Sequence, residues 1–62
     1  MRILVVEDDP VIGDGIVQGL SLHDYAVDWV TTISQAKTAF STHTYELLIL
    51  DLGLPDGSGL DL

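Results

Sequence analysis

Three acidic side chains directly follow two apolar segments of the chain. Glu7 and Asp8 come after the apolar run at residues 3–6, and Asp51 comes directly after Leu47–Leu50. Short, continuous apolar runs of this kind are typical of strands that are buried on both faces of a parallel sheet. Neighbouring strands lie about 5 Å apart, so their carboxyl ends would stand side by side. If these two strands are neighbours, three carboxylates converge at one edge of the sheet.

Such a cluster predicts a bound cation. Like charges about 4 Å apart repel by roughly 4 kcal/mol at an effective dielectric near 20, so the cluster needs a cation or a raised pKa. The ligands are all hard oxygens, which select Mg²⁺, Mn²⁺ or Ca²⁺ over zinc, and Mg²⁺ commonly takes a phosphate oxygen as well. A simpler interpretation is that acids at strand ends are merely solvated, or favoured by a following helix N-terminus. The joint position of the three acids favours the metal site.

Asp51 has chemistry beyond metal ligation. A carboxylate can attack phosphorus and form an acyl phosphate, and Mg²⁺ would cancel its charge and organise in-line attack. Glu7 and Asp8 would then hold the metal, and the backbone carbonyl of Gly53 is within reach as a further oxygen ligand. The glycine-rich residues 53–59 predict a turn. An ordinary strand-to-helix turn would explain the same glycines.

The segments between these acids predict two helices and one more strand. Residues 10–22 have an amphipathic pattern whose apolar positions are Ile12, Ile16 and Leu20. Asp9 is suited to cap this helix, and Pro10 fits its first position. Residues 25–30 predict the second strand, and residues 33–41 predict a second helix. The apolar residues 60–62 are compatible with the start of a third helix.

The resulting order is βαβαβ with short connections, which predicts an α/β fold with a doubly wound parallel sheet. The second strand carries a charge at Asp28 and is therefore expected at an edge, whereas the first and third strands are apolar throughout. Right-handed crossovers then give the strand order 2-1-3, with one helix on each face. This order creates a topological switch point between strands one and three, where open α/β sheets bind their ligands.

Composition sets further limits. The 62 residues carry ten Asp and Glu against two Lys and Arg, a formal net charge of −8, and 47% of the chain is hydrophobic without any Cys. This charge argues against direct binding to nucleic acid or an anionic membrane, since both require cations. Disulfides and thiolate metal sites are excluded. No apolar run approaches the ~20 residues of a membrane span, and the N-terminus does not resemble a signal peptide. A cytoplasmic location is expected.

Two motifs resemble those of a known family. The segment at residues 5–9, Val-Val-Glu-Asp-Asp, and the segment at residues 50–55, Leu-Asp-Leu-Gly-Leu-Pro, resemble the receiver domains of two-component response regulators. The similarity extends over the whole chain and is nearest to the OmpR/PhoB class, in particular its QseB/PmrA-like branch. Receivers such as CheY have a flavodoxin-like fold with strand order 2-1-3-4-5, so the predicted order agrees with the family without supporting it independently.

The resemblance implies a role for each acid. Asp51 matches the phosphoacceptor, Asp8 the direct Mg²⁺ ligand and Glu7 the acid that usually acts through water. Gly53 matches the residue whose backbone carbonyl contacts the metal. The implied phosphodonor is a sensor histidine kinase, and the implied native role is control of a DNA-binding transcriptional regulator.

The length departs from the family pattern. Residues 1–62 are expected to form the N-terminal part of a receiver domain. The Ser/Thr after strand four, the Lys after strand five and the DNA-binding domain have no counterpart in this sequence, and neither Lys37 nor Arg2 is placed to substitute. The third strand would present an apolar edge, so self-association as a dimer or by element swapping is expected.

Two rival interpretations remain open. One is an aspartyl-phosphate phosphotransferase or phosphatase, although many such enzymes carry a second Asp two residues after the nucleophile, where this chain has Gly53. The other is a self-associating fragment that does not accept phosphate. The expected class is a signalling module and not an enzyme.

Overall fold

The computed structural model describes residues 1–50 together with the backbone of residues 53–54 and 57–58. Its elements are β1 (Arg2–Val6), α1 (Pro10–Ser21), β2 (Ala26–Val30), α2 (Ile33–Thr42), β3 (Leu47–Leu50), β4 (Gly53–Leu54) and β5 (Gly57–Ser58). The predicted βαβαβ order is confirmed, and each predicted boundary differs by at most one residue. Within the predicted turn, the two-residue strands β4 and β5 pair in antiparallel fashion. The helix expected to start at residues 60–62 lies outside the described residues.

The first three strands form a parallel sheet in the order β2-β1-β3, as predicted. At the carboxyl end of β1, Val6 pairs with both Val30 and Leu50. The four apolar residues of β1, Ile3 to Val6, have no exposed surface, because β1 has a strand on each side and a helix over each face. The prediction that β2 lies at an edge is also confirmed.

The start of α1 follows the predicted chemistry. The Asp9 carboxylate accepts hydrogen bonds from the backbone N–H groups of Val11, at 2.8 Å, and Ile12, at 3.2 Å. These amides have no partner within the helix, so the cap satisfies two groups that water would otherwise have to solvate. Pro10 occupies the first turn, where its missing N–H is harmless.

The apolar face predicted for α1 is partly wrong. Ile12 is 53% exposed, whereas the neighbouring Gly13 is buried, so the buried stripe begins one residue later than the spacing of apolar residues indicated. Ile16 and Leu20 are half-buried and stay on the stripe. The cause is the Trp29 side chain, which lies against the bare backbone of Gly13 and turns this position toward the sheet.

The second helix covers the opposite face of the sheet. Ile33 and Ala36 of α2 pack against Leu4 and Val6 of β1 in the main hydrophobic cluster. The Thr32 hydroxyl caps the helix by accepting the N–H of Gln35 at 3.1 Å. The prediction that the two helices lie on opposite faces is therefore confirmed. Both helices contact the central strand β1.

Candidate functional site

An acidic turn, residues 7–9, leads from the carboxyl end of β1 into α1. The backbone N–H of Glu7 donates to the carbonyl of Val30 at 3.1 Å, which continues the sheet by one residue. The Glu7 side chain turns back and accepts the N–H of Asp9 at 3.2 Å. Asp9 is committed to capping the helix, as expected. The turn is thus held by hydrogen bonds of its own side chains and by the backbone of β2.

Asp8 is the carboxylate of the turn that is free to bind a ligand. It is exposed, and within the described part of the chain it forms no hydrogen bond or ion pair. Glu7 is half-buried, and one of its carboxylate oxygens is already engaged by Asp9. Mg²⁺ usually takes one or two carboxylates and keeps several waters, so a donor set of Glu7 and Asp8 fits this cation.

The third predicted acid, Asp51, lies outside the described residues. Among the residues that the structure does describe, no group of three His, Cys, Asp or Glu side chains comes together. What the structure brings together is the pair of strands that precede the acids, since Val6 is paired with Leu50. The role predicted for the Gly53 carbonyl is not tested, although the backbone of Gly53 forms part of β4 and pairs with Ser58.

Trp29 contributes to the turn in a way that the sequence did not indicate. Its indole N–H donates to the backbone carbonyl of Glu7 at 3.0 Å. A Cβ placed on Gly13 would overlap this ring, at 2.7 Å from Nε1 and closer still to two ring carbons. Neither Trp29 nor Gly13 belongs to a sequence motif that points to this contact. A Trp near the end of an edge strand, together with Gly in the first turns of the preceding helix, was the available signal.

A second polar group lies near the amino end of β1, and we term it the Arg2 cluster: Arg2, Asp28 and Tyr45. Asp28 Oδ2 accepts three hydrogen bonds, from Arg2 Nε at 3.1 Å, Arg2 Nη2 at 2.8 Å and the Tyr45 hydroxyl at 2.6 Å. The Arg2 guanidinium also lies 5.8 Å from the centre of the Tyr45 ring, within the range of a cation–π interaction. The cluster ties β1, β2 and the segment that leads into β3 together.

These contacts change the ionisation of the Arg2 cluster. The hydrogen bond from Tyr45, followed by that from Arg2, lowers the pKa of Asp28 below its ordinary value. Burial, and then the hydrogen bond to Asp28, raises the pKa of Tyr45. Each shift favours the form present at neutral pH, an ionised carboxylate beside a neutral phenol. The Arg2 cluster is therefore a satisfied structural network and leaves Arg2 unavailable to the acidic turn.

Comparison with protein families gives one match that covers nearly the whole chain. The family model described as "Response regulator receiver domain" matches residues 3–62. The described part of the chain contains no helix with the length and apolar character needed to cross a membrane.

Individual relatives agree with this family. The chain is 52% identical over 62 residues to the "Response regulator protein PmrA" of Pseudomonas aeruginosa and 50% identical over 62 residues to the "Transcriptional regulatory protein QseB" of Escherichia coli O157:H7. All of this chain is aligned, and it spans 28% of the length of each relative.

Solved structures agree as well. The non-phosphorylated HemR receiver domain from Leptospira biflexa is 43% identical, with a TM-score of 0.90 over 97% of this chain and 48% of that one. A second structure, described as a sensor protein from Polaromonas sp. JS666, has a TM-score of 0.89 at 33% identity, over the same shares of both chains.

Proposed function

Because the chain belongs to the response regulator receiver family and resembles its OmpR-class members, we propose that it accepts a phosphoryl group on Asp51. In this proposal a sensor histidine kinase is the donor and Mg²⁺ is the cofactor. The reaction takes place in the cytoplasm and controls a DNA-binding transcriptional regulator. Two relatives that are 52% and 50% identical and are named as regulators support the last part of the proposal.

The observation that carries the proposal is the register of the central strand pair. Val6 and Leu50 are partners on adjacent parallel strands, and each is followed in the sequence by an acid, Glu7 or Asp51. Carboxyl ends of neighbouring parallel strands open at the same edge, where α/β sheets bind ligands. The register thus supports a shared site for Asp51 and the acidic turn.

Each residue then has a distinct task. Asp8, exposed and without a described partner, ligates Mg²⁺ directly, and Glu7 acts beside it through its remaining carboxylate oxygen or through water. The Gly53 carbonyl is proposed as a further oxygen ligand. When bound, the metal would supply positive charge that offsets repulsion between Asp51 and a phosphate donor. The attacking oxygen of Asp51 forms the new bond to phosphorus while the bond to the donor's leaving atom breaks.

The rival enzymatic function has less support. Aspartyl phosphotransferases and phosphatases commonly carry a second Asp two residues beyond the nucleophile as a proton donor, and this chain has Gly53 there. Gly supplies no proton. A receiver needs no such acid for the transfer itself, so the site is better suited to holding a phosphoryl group than to turning over substrate.

The intact mass of the chain tests the proposal. Incubation with acetyl phosphate and Mg²⁺ is expected to add one phosphoryl group to the wild-type chain and none to Asp51→Asn, which keeps the side-chain size but lacks the anionic nucleophile. Replacing Mg²⁺ with EDTA should abolish the gain. Equal labelling of Asp51→Asn, or no labelling of the wild-type chain, would contradict phosphoryl acceptance at Asp51.

Self-association is a second candidate property, favoured by the outer side of β3. In the part of the chain that the structure describes, β3 pairs only with β1, and its Leu47 and Leu48 are 45% and 37% exposed. Unpaired strand edges with apolar side chains promote pairing between chains. Light scattering during size exclusion should show a dimer, which Leu48→Lys should dissociate. A monomeric wild-type chain would contradict this.

A further inference from the structure

We propose that Trp29 is a positioning residue for the metal site, because its indole N–H fixes the peptide that carries Asp8. This inference rests on the proposed function, since it takes Glu7 and Asp8 as the residues that hold Mg²⁺. It concerns a side chain on β2 that touches neither carboxylate. The contact is the hydrogen bond of 3.0 Å from Trp29 Nε1 to the Glu7 carbonyl oxygen.

The planarity of the peptide bond explains how this contact can orient Asp8. The carbonyl of Glu7 belongs to the planar peptide unit that ends at the Cα of Asp8. Fixing the direction of this carbonyl therefore fixes the plane from which the Asp8 side chain departs. The neighbouring peptide is fixed too, since the Glu7 N–H donates to the Val30 carbonyl at 3.1 Å. Both backbone polar groups of Glu7 are thus bound by the end of β2.

Gly13 allows the ring to reach this carbonyl. The indole lies directly against the backbone of α1, at a position where any Cβ would overlap the six-membered ring and Nε1. The same helix begins at the cap residue Asp9, which is the last residue of the acidic turn. The Trp29 side chain therefore contacts both the acidic turn, at the Glu7 carbonyl, and the helix that follows it, at Gly13.

Hydrogen bonding, and not only ring volume, is the feature that the proposal requires. An apolar ring of the same shape would still fill the space over Gly13, but it would leave the Glu7 carbonyl free to rotate toward water. Partners that orient metal ligands from outside the coordination sphere typically change metal affinity by 10–100-fold. The contact here acts through one peptide at a half-exposed position, so we expect an effect of about tenfold, at the lower end of this range.

The test replaces Trp29 with 3-benzothienylalanine, which keeps the fused ring but has sulfur in place of the N–H. Backbone amide shifts of residues 7–9 are followed by NMR during titration with MgCl₂, against NaCl of matched ionic strength, and thermal melting is recorded separately. We expect about tenfold weaker Mg²⁺ binding with the sheet resonances retained. Trp29→Phe, which removes the donor with natural chemistry, should weaken binding at least as much.

Tyr45→Phe is the matched control, because it also deletes one hydrogen-bond donor but in the Arg2 cluster. It should lower the melting temperature without changing Mg²⁺ affinity. Unchanged affinity in the benzothienylalanine variant would overturn the positioning role and leave the proposed function intact. An equal loss of affinity in Tyr45→Phe would show that only general stability matters, which also overturns it. A wild-type chain that binds no Mg²⁺ would overturn both proposals together.

Discussion

The two ends of the three-stranded sheet differ in whether their carboxylates have cationic or hydrogen-bonding side-chain partners. Near the amino end of β1, the Asp28 carboxylate is matched by Arg2 and by the Tyr45 hydroxyl, and each partner is held at hydrogen-bonding distance. At the carboxyl end, the acidic turn carries Glu7 and Asp8 without a cationic side chain among its described contacts.

This contrast distinguishes a structural acid from one available for binding. Only two Lys and Arg residues occur in the chain, and Arg2 is committed to the Arg2 cluster while Lys37 lies on the exposed side of α2. Within the described residues, neither Arg2 nor Lys37 forms an ion pair with Glu7 or Asp8, so these two carboxylates are open to an added cation. Substitutions at the two ends should separate stability from metal binding.

The largest expected effect is on metal affinity at the acidic turn. Asp8→Ala should weaken Mg²⁺ binding about 100-fold, because a directly ligating carboxylate contributes several kcal/mol toward a divalent cation at an effective dielectric near 20. Asp9→Ala removes the helix cap instead, and should cost about 1 kcal/mol of stability with little change in affinity. Isothermal titration with MgCl₂ checks both. Equal affinities of the two variants would show that Asp8 is not the direct ligand.

Next in size is the effect of filling the space beneath Trp29. Gly13→Ala should lower the free energy of unfolding by about 2 kcal/mol, because the new methyl group must displace the indole. Gly19→Ala is the matched control in the same helix, with nothing within 4 Å of the added Cβ. It should stabilise by up to about 1 kcal/mol through helix propensity alone. Urea denaturation measures both, and stabilisation by Gly13→Ala would contradict the observed packing.

Gly13 also shows which features of the fold could be predicted from the sequence and which could not. Hydrophobic periodicity predicted the order and boundaries of the elements, because buried strands and amphipathic helices leave regular patterns. It placed Ile12 on the buried face of α1, where the structure buries Gly13. A glycine leaves no trace in a hydrophobic pattern, and the need for bare backbone arises only from a tryptophan sixteen positions later. Contacts between distant side chains, which also link Asp28 to Arg2 and Tyr45, are not encoded locally.

The candidate site was predictable to a similar extent. Adjacent strands ending in acids followed from the pattern, and the pairing of Val6 with Leu50 confirms the adjacency. The capping role of Asp9 was also predicted, since Asp before Pro is a strong local signal for a helix start. The hydrogen bond from Trp29 to a backbone carbonyl was not, because main-chain acceptors have no sequence signature. The roles of Asp51 and Gly53 stay predictions.

A smaller effect is expected at the Arg2 cluster. Tyr45→Phe should cost about 1 kcal/mol of stability, the usual contribution of one hydrogen bond, with somewhat more if Asp28 keeps its charge without the donor. Phosphoryl acceptance by the chain should be unchanged. Chemical denaturation and the intact-mass assay give the two readouts. A loss of labelling greater than the loss of folded protein would show that the two ends of the sheet are coupled.

The smallest effect is a pH dependence that arises from Asp28, near the amino end of β1. The pKa of Asp28 is lowered in the folded chain, so its contribution to stability is present above the unfolded-state pKa and is lost as the pH falls through the folded-state value. The wild-type chain should therefore lose stability below about pH 4 more steeply than Asp28→Asn. The side chain is 37% exposed, and solvent screening keeps the difference small. Thermal melts across this range would detect it, and parallel curves would exclude it.

Asp28 and Trp29 are consecutive residues of β2, and they serve opposite faces and opposite ends of the sheet. Side chains alternate along a strand, so a shift of β2 by one residue against β1 would exchange their faces. The carboxylate would move beneath α1, away from Arg2, and the indole would be driven into the cluster formed by Leu4 and Val6. Both networks would be lost in a single step. The adjacent pair therefore disfavours pairing of this edge strand in the wrong register, since a shift of one residue breaks the contacts of both side chains.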